Sequence, residues 1–158
     1  MVTGGYPEVV LKESWEEKRE VLRSIFDLYV KKEIIEYLKI ERIVAVKRII
    51  EYLAIHNGQK IRYDALAQIS GLSQKTAKSY LEILKETFLI IEIRPFFSNK
   101  KKELVKIPKI YFLDNGVANF FINNFIPIRL REDAGFLFEG AVIGELIKTG
   151  TEPERLHF

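Results

Sequence analysis

Gln74, Lys75, Lys78 and Ser79 are spaced so that any helix containing them carries all four on one face. Glutamine can pair with adenine, and lysine with guanine or with phosphate, so such a face would suit the major groove of DNA. Ser73, just ahead of them, belongs to the same candidate set. Lys100, Lys101 and Lys102 form a second cationic group that would hold adjacent phosphates, adding affinity rather than sequence preference. Arg94 stands near the base of that group, where it either joins it or flanks Pro95. Other chemistries find less support. The two histidines, His56 and His157, are far apart and cysteine is absent, so neither a catalytic dyad nor a zinc site is indicated. His56 is expected near the cap of an apolar helix and His157 in a frayed end. Asp64 beside Tyr63 reads as an early-helix charge rather than a general base. Gly4-Gly5 lacks the lysine and Ser/Thr spacing of a Walker loop, and no such spacing occurs elsewhere in the chain.

The elements that would position these residues lie in 61–88. Tyr63 to Ile69 is expected to be a short helix ended by Gly71, since glycine enters a left-handed C′ position without a Cβ clash. Ser73 would cap the next helix, whose apolar stripe is Ala77, Tyr80, Leu81, Leu84 and Phe88. Helix, glycine turn and capped helix make a helix-turn-helix. Upstream, Val46, Ile49, Ile50, Leu53 and Ala54 supply a third helix ending near Asn57-Gly58. Downstream, residues 89–96 and 107–113 are β-rich runs around the polar tip Ser98-Asn99-Lys100-Lys101-Lys102, a hairpin that would serve as a wing. The fold class expected is mainly α with a small β-hairpin: a winged helix-turn-helix core with flanking helices. The divisions are 1–40 as a helical linker, 41–114 as the winged helix-turn-helix, and 115–158 as a helical extension.

Charge follows the same divisions. Residues 58–110 hold eleven Lys/Arg against five Asp/Glu, whereas 1–57 balance at ten each and 111–158 hold four against seven. The positive surplus therefore sits where counterion release from phosphate would use it. At 158 residues, with 47% apolar and 30% charged content, the chain can bury a real core. It shows neither a signal peptide nor an apolar run of membrane-spanning length, and it reads as cytoplasmic.

The flanks are helical by pattern. Ser14 would cap a helix carrying Trp15, Leu22, Ile25, Phe26 and Tyr29, and Lys32 to Ile40 forms a shorter segment. Asp114-Asn115-Gly116 reads as a turn before a short helix at Val117 to Phe121. The helix over 134–149 is apolar, with Gly135, Gly140 and Gly144 as a small-residue face open to a close-packed partner. Residues 155–158 look like the first residues of a strand, and both ends read as cut from something larger.

Seven stretches carry a resemblance: GGYPEVV (4–10), YVKKEII (29–35), LAQISGLSQKTAKSYLEIL (66–84), FLI (88–90), RPFFSN (94–99), PKIYFLDNGV (108–117) and FEGAVIGEL (138–146). In this order they resemble the C-terminal region of predicted ATPases of the AAA+ superfamily, found in archaea and some bacteria. There a P-loop ATPase is followed by a C-terminal domain of unknown function. The resemblance implies that the ATPase part precedes this chain, and with it the ATP and Mg2+ that part would use; none of these cofactors is expected here. It further implies that 138–146 opens a truncated α/β nuclease-like fold, with Glu139 and Glu145 as remnants of its site or as ordinary helix residues. The chain alone is then expected to be non-catalytic, binding double-stranded DNA through helix 73–88 and a basic wing. The alternative is a protein-interaction or oligomerisation arm of the ATPase, using helix 134–149 and the aromatic residues Phe120, Phe121 and Phe125, without DNA binding. Expected partners are DNA, the missing ATPase and α/β domains, and a second copy through helix 134–149.

Overall fold

The computed structural model describes residues 2–28, 43–97 and 106–158. Its helices begin where the sequence can cap them. Pro7–Val10 (α1) starts on a proline, which suits a first helical turn. Trp15–Phe26 (α2) opens with a capping box: Ser14 accepts from the Glu17 amide, and Glu17 accepts from the Ser14 amide. The Ser14 hydroxyl, which also donates to it, and then the Ser14 amide hold the Glu17 carboxyl below the ordinary glutamate range. Ile43–Ile55 (α3) buries Val46, Ile49, Ile50, Leu53 and Ala54 on one face. Tyr63–Ser70 (α4) ends on Gly71 at φ 69, in the left-handed region. Gln74–Glu86 (α5) then starts from Ser73, whose Oγ accepts from the Thr76 amide at 3.2 Å. Tyr29 and the segment 32–40 lie outside the described residues.

Two strands follow, Ile90–Ile93 (β1) and Lys109–Phe112 (β2), antiparallel with Ile90 opposite Phe112 and Ile93 opposite Lys109. Lys60 bridges to Lys109 on the far side of β2, while His157 bridges in parallel to Arg94 at the end of β1. The spatial order is therefore Lys60, β2, β1, His157. His157 is thus held beside β1 rather than frayed, because Phe96 and Phe158 donate to the carbonyls of Phe158 and Arg94. Strand alternation splits the sheet between two cores. Ile90, Ile110 and Phe112 join the main core with α2 to α5, whereas Ile91, Ile93 and Tyr111 face Ile143, Ile147, Leu156 and Phe158. Among the described residues the architecture is mainly helical with one small antiparallel sheet.

Asn115–Phe121 (α6) begins earlier than its apolar pattern suggests. Asp114 is its cap rather than part of a free turn: its Oδ1 accepts from the Gly116 and Val117 amides, and its Oδ2 from Gly5. The amino-terminal segment runs so close that a Cβ on Gly116 would fall on the Thr3 carbonyl. The main core takes Val9 from α1, Leu22 from α2 and Val117 and Ala118 from α6, so the flanking segments share one core with 43–93. Ala134–Lys148 (α7) lies against β2 and Leu113. No helix among the described residues is long and apolar enough to cross a membrane.

Three features depart from the sequence pattern. Phe88 does not continue the α5 stripe. The helix stops at Glu86, where the Thr87 hydroxyl donates to the Ile83 and Leu84 carbonyls, and Phe88 turns outward at φ 58 with 73% of its area exposed. The glycine face of α7 is used internally: a Cβ on Gly144 would sit 3.0 Å from the Leu113 carbonyl, and one on Gly140 3.2 Å from Asn115. The aromatic residues 120, 121 and 125 are half-buried, packing on Phe26, Phe112 and Trp15.

Candidate nucleic-acid interface

The apolar spacing of α5 dictates which of its residues meet water. Ala77, Leu81 and Leu84 are fully buried, each leucine contributing about 1.5–3 kcal/mol by leaving water. That anchoring turns Ser73, Gln74, Lys75, Lys78 and Ser79 outward, all of them exposed. Two of the five have hydroxyls already engaged. Ser73 caps the helix and contacts the Thr76 hydroxyl at 2.8 Å, and Ser79 donates back to the Lys75 carbonyl at 3.1 Å. Lys78 places its Nζ 5.4 Å from the centre of the Tyr63 ring, a cation–π contact that fixes its direction. Gln74 and Lys75 have no side-chain partner among the described residues. Lys75 lies in the first helical turn, which carries no acidic residue. A cation there opposes the helix dipole, so folding gains nothing from its charge, whereas a bound anion would meet the dipole and the ammonium together.

The sheet places the remaining candidates differently. Ser98, Asn99 and the tip lysines Lys100, Lys101 and Lys102 lie outside the described residues. Arg94, whose expected neighbours at the lysine tip lie outside the described residues, forms an ion pair with Glu92, whose side chain is only 4% exposed. Glu92 also lies 3.6 Å from the Lys85 Nζ and 3.4 Å from the Tyr63 hydroxyl. The strand period directs Glu92 to the helical side of the sheet, and a carboxylate buried there requires counter-charges. Burial, and then the Glu92 charge, push the Tyr63 phenol above its ordinary range, so it stays a hydrogen-bond donor.

Further cations near α4 and α5 were not legible as a set. Arg62 is exposed but forms a bidentate pair with Asp64 at 3.0 and 2.6 Å, which leaves Asp64 as a helix-start charge. Lys60 points its Nζ over the Phe158 ring at 5.2 Å. His56 follows α3 with its Nδ1 2.8 Å from the Tyr52 carbonyl. Glu139 and Glu145 are paired with Lys109 and Lys148. Among the described residues no cluster of three metal-ligating side chains exists.

Residues 1–126 match the family described as "Domain of unknown function (DUF8612)". Relatives among curated proteins include Uncharacterized protein Rv2008c of Mycobacterium tuberculosis and Uncharacterized protein Mb2031c of Mycobacterium bovis. Each is 29% identical over 96 residues, covering 60% of this chain and 22% of the relative. Uncharacterized protein MJ1544 of Methanocaldococcus jannaschii is 24% identical over an alignment of 161 residues, covering 98% of this chain and 34% of the relative. The chain thus spans between a fifth and a third of the length of these relatives. No solved structure matches it.

Proposed function

The chain belongs to the family of unknown function DUF8612, and from its own geometry we propose that it is a winged-helix module that binds duplex DNA through the amino-terminal half of α5. The observation that carries this reading is the pair Gln74 and Lys75, unpartnered and exposed at the start of a helix held by a buried apolar face. A recognition helix contacts base edges with these early residues. The connectivity supports the same reading. Lys60, α4, α5, β1 and β2 follow in order, with β2 lying between β1 and Lys60, the arrangement a winged helix-turn-helix requires. Lys78 joins the interface as a phosphate contact, and Ser73 and Ser79 contribute through their remaining lone pairs. Arg94 acts inside the fold, on Glu92. In this reading the module serves a longer protein, and the ATPase context implied by the resemblance supplies any catalysis. The length of the relatives is compatible with that role.

Amide NMR spectra of the chain titrated with a random 16-base-pair duplex test the proposal. Perturbations concentrated on residues 73–79 are expected, and perturbations confined to α7 would refute it. A second reading, as a protein-interaction arm, draws on the exposed row Phe138, Val142 and Leu146 of α7; it is the reading that survives if duplex leaves residues 73–79 unmoved.

A further inference from the structure

The carboxyl-terminal end of α5 borders a groove of about 660 Å3 between the helix, β1 and the segment 153–157. From Lys75 to Glu86 is about 16 Å along the helix axis at 1.5 Å per residue, so the groove stands apart from the proposed DNA face. Its volume falls in the range of sites that take several side chains or a small ligand. Ile91 and Leu156 give it an apolar floor, and Phe88 stands at its edge. Phe88 adopts a backbone conformation that glycine would take freely, with its ring turned to solvent. The backbone conformation serves the fold, because it lets the Phe88 and Leu89 amides donate to the Lys85 and Leu84 carbonyls and close α5. The exposed ring adds nothing to that cap, and at a groove edge it is placed to meet a partner.

Charge decides which partner fits. The lining carries Glu82, Glu86, Glu92 and Glu154 against Lys85 and Arg94, a net excess of two negative charges. Lys85 is engaged by Glu82 and Glu92, and Arg94 by Glu92. Glu86 and Glu154 are exposed and have no side-chain partner among the described residues. The negative end of the α5 dipole is directed to the same place and favours cations there. We propose that this groove docks a basic, apolar peptide segment of a partner protein. An aliphatic side chain of the segment lies on Phe88 and Leu156, and its flanking lysine or arginine groups face Glu86 and Glu154.

The test uses the 158-residue chain and two fluorescein-labelled heptapeptides, one alternating lysine with leucine and the other alternating glutamate with leucine. The basic peptide is expected to bind saturably and the acidic one not to bind. Phe88→Gly should weaken binding at least fivefold while leaving the melting temperature unchanged or higher, which separates docking from a folding role. The double reversal Glu86→Lys with Glu154→Lys should reduce binding at least tenfold. Duplex-induced perturbations at 73–79 should persist in both variants, so this result and the DNA result are read independently. Equal binding of both peptides, or unchanged binding in both variants, would overturn the proposal. So would a concentration-dependent dimer abolished by Phe88→Gly, which would give the groove to a second copy.

Discussion

Removing the exposed partner of the Arg131–Asp133 pair should cost more than removing the buried one. The Arg131 side chain is 2% exposed and that of Asp133 42%. Arg131 donates through Nε and Nη2 to the Asp133 carboxylate, and through Nη1 to Asn119 Oδ1 and the Asn124 carbonyl, each at 2.8 Å. Asn119 in turn donates to the Val2 carbonyl at 2.7 Å, so the guanidinium braces the α6–α7 connection and, through it, the amino-terminal segment. Asp133→Ala leaves a positive charge in the interior with no carboxylate, a change that costs about 3–5 kcal/mol when a buried pair is broken. Water entering where the half-exposed carboxylate stood brings the expected cost to about 3 kcal/mol. Arg131→Met lets Asp133 rehydrate, fills the space with apolar volume, and leaves two acceptors short of a donor, for about 2 kcal/mol in all.

At roughly 2–4 °C per kcal/mol for a domain of this size, the melting temperature should fall by about 9 °C for Asp133→Ala and 6 °C for Arg131→Met. Urea and thermal unfolding followed by circular dichroism would measure both. The pH dependence adds a sign. Hydrogen bonding and charge from Arg131 hold the Asp133 carboxyl below its ordinary range. Its contribution is therefore complete above the unfolded carboxyl pKa and lost as pH falls through the lower folded value. The stability gap between wild type and Asp133→Asn should accordingly narrow below about pH 4. A larger loss for Arg131→Met than for Asp133→Ala, or a gap that widens in acid, would refute this reasoning.

Ser73→Ala removes the acceptor for the Thr76 amide and should cost about 1 kcal/mol of stability by urea unfolding. Leu81→Ala, at a site with no exposed area, should cost about 2–5 kcal/mol in the same measurement. Gly144→Ala brings a Cβ to 3.0 Å from the Leu113 carbonyl and should destabilise the isolated chain. Gly135→Ala meets nothing within 4 Å and should be neutral or raise stability by up to about 1 kcal/mol. The opposite order in thermal melts would mean that the glycine face of α7 is not packed within the chain.

Much of the scaffold could be read from local rules. Ser14, Gly71, Ser73, and the buried face 46–54 each declare a cap or a period, and each falls in place in the structure. Failures came where tertiary contacts or a side chain competing for backbone overrode the pattern. Spacing alone carries the α5 stripe on to Phe88, but the helix ends two residues sooner, where the Thr87 hydroxyl and the Phe88 and Leu89 amides take its last carbonyls. The glycines of α7 announce close packing without saying against what, and the answer, Leu113 and Asn115, is distant in sequence. Asp114 looks like part of a turn until the Gly5 amide arrives from the other end of the chain.

Within the candidate interface, the exposed positions of α5 follow from its period. The engagement of Ser79 by the Lys75 carbonyl and of Arg94 by Glu92 does not. Arg94 is the clearest case: its attraction to a buried carboxylate depends on the strand register that turns Glu92 toward α4 and α5.

The central claim is that α5 meets phosphate and bases with its first turns. It is tested most directly by fluorescence anisotropy of a labelled random duplex across a salt series, comparing wild type with Lys75→Ala/Lys78→Ala and Lys100→Ala/Lys101→Ala/Lys102→Ala. Binding is expected to weaken with salt. The log–log slope should be shallower by up to about 0.9 for each lysine removed from phosphate. No binding at low salt by the folded chain, or unchanged slopes in both variants, would contradict it.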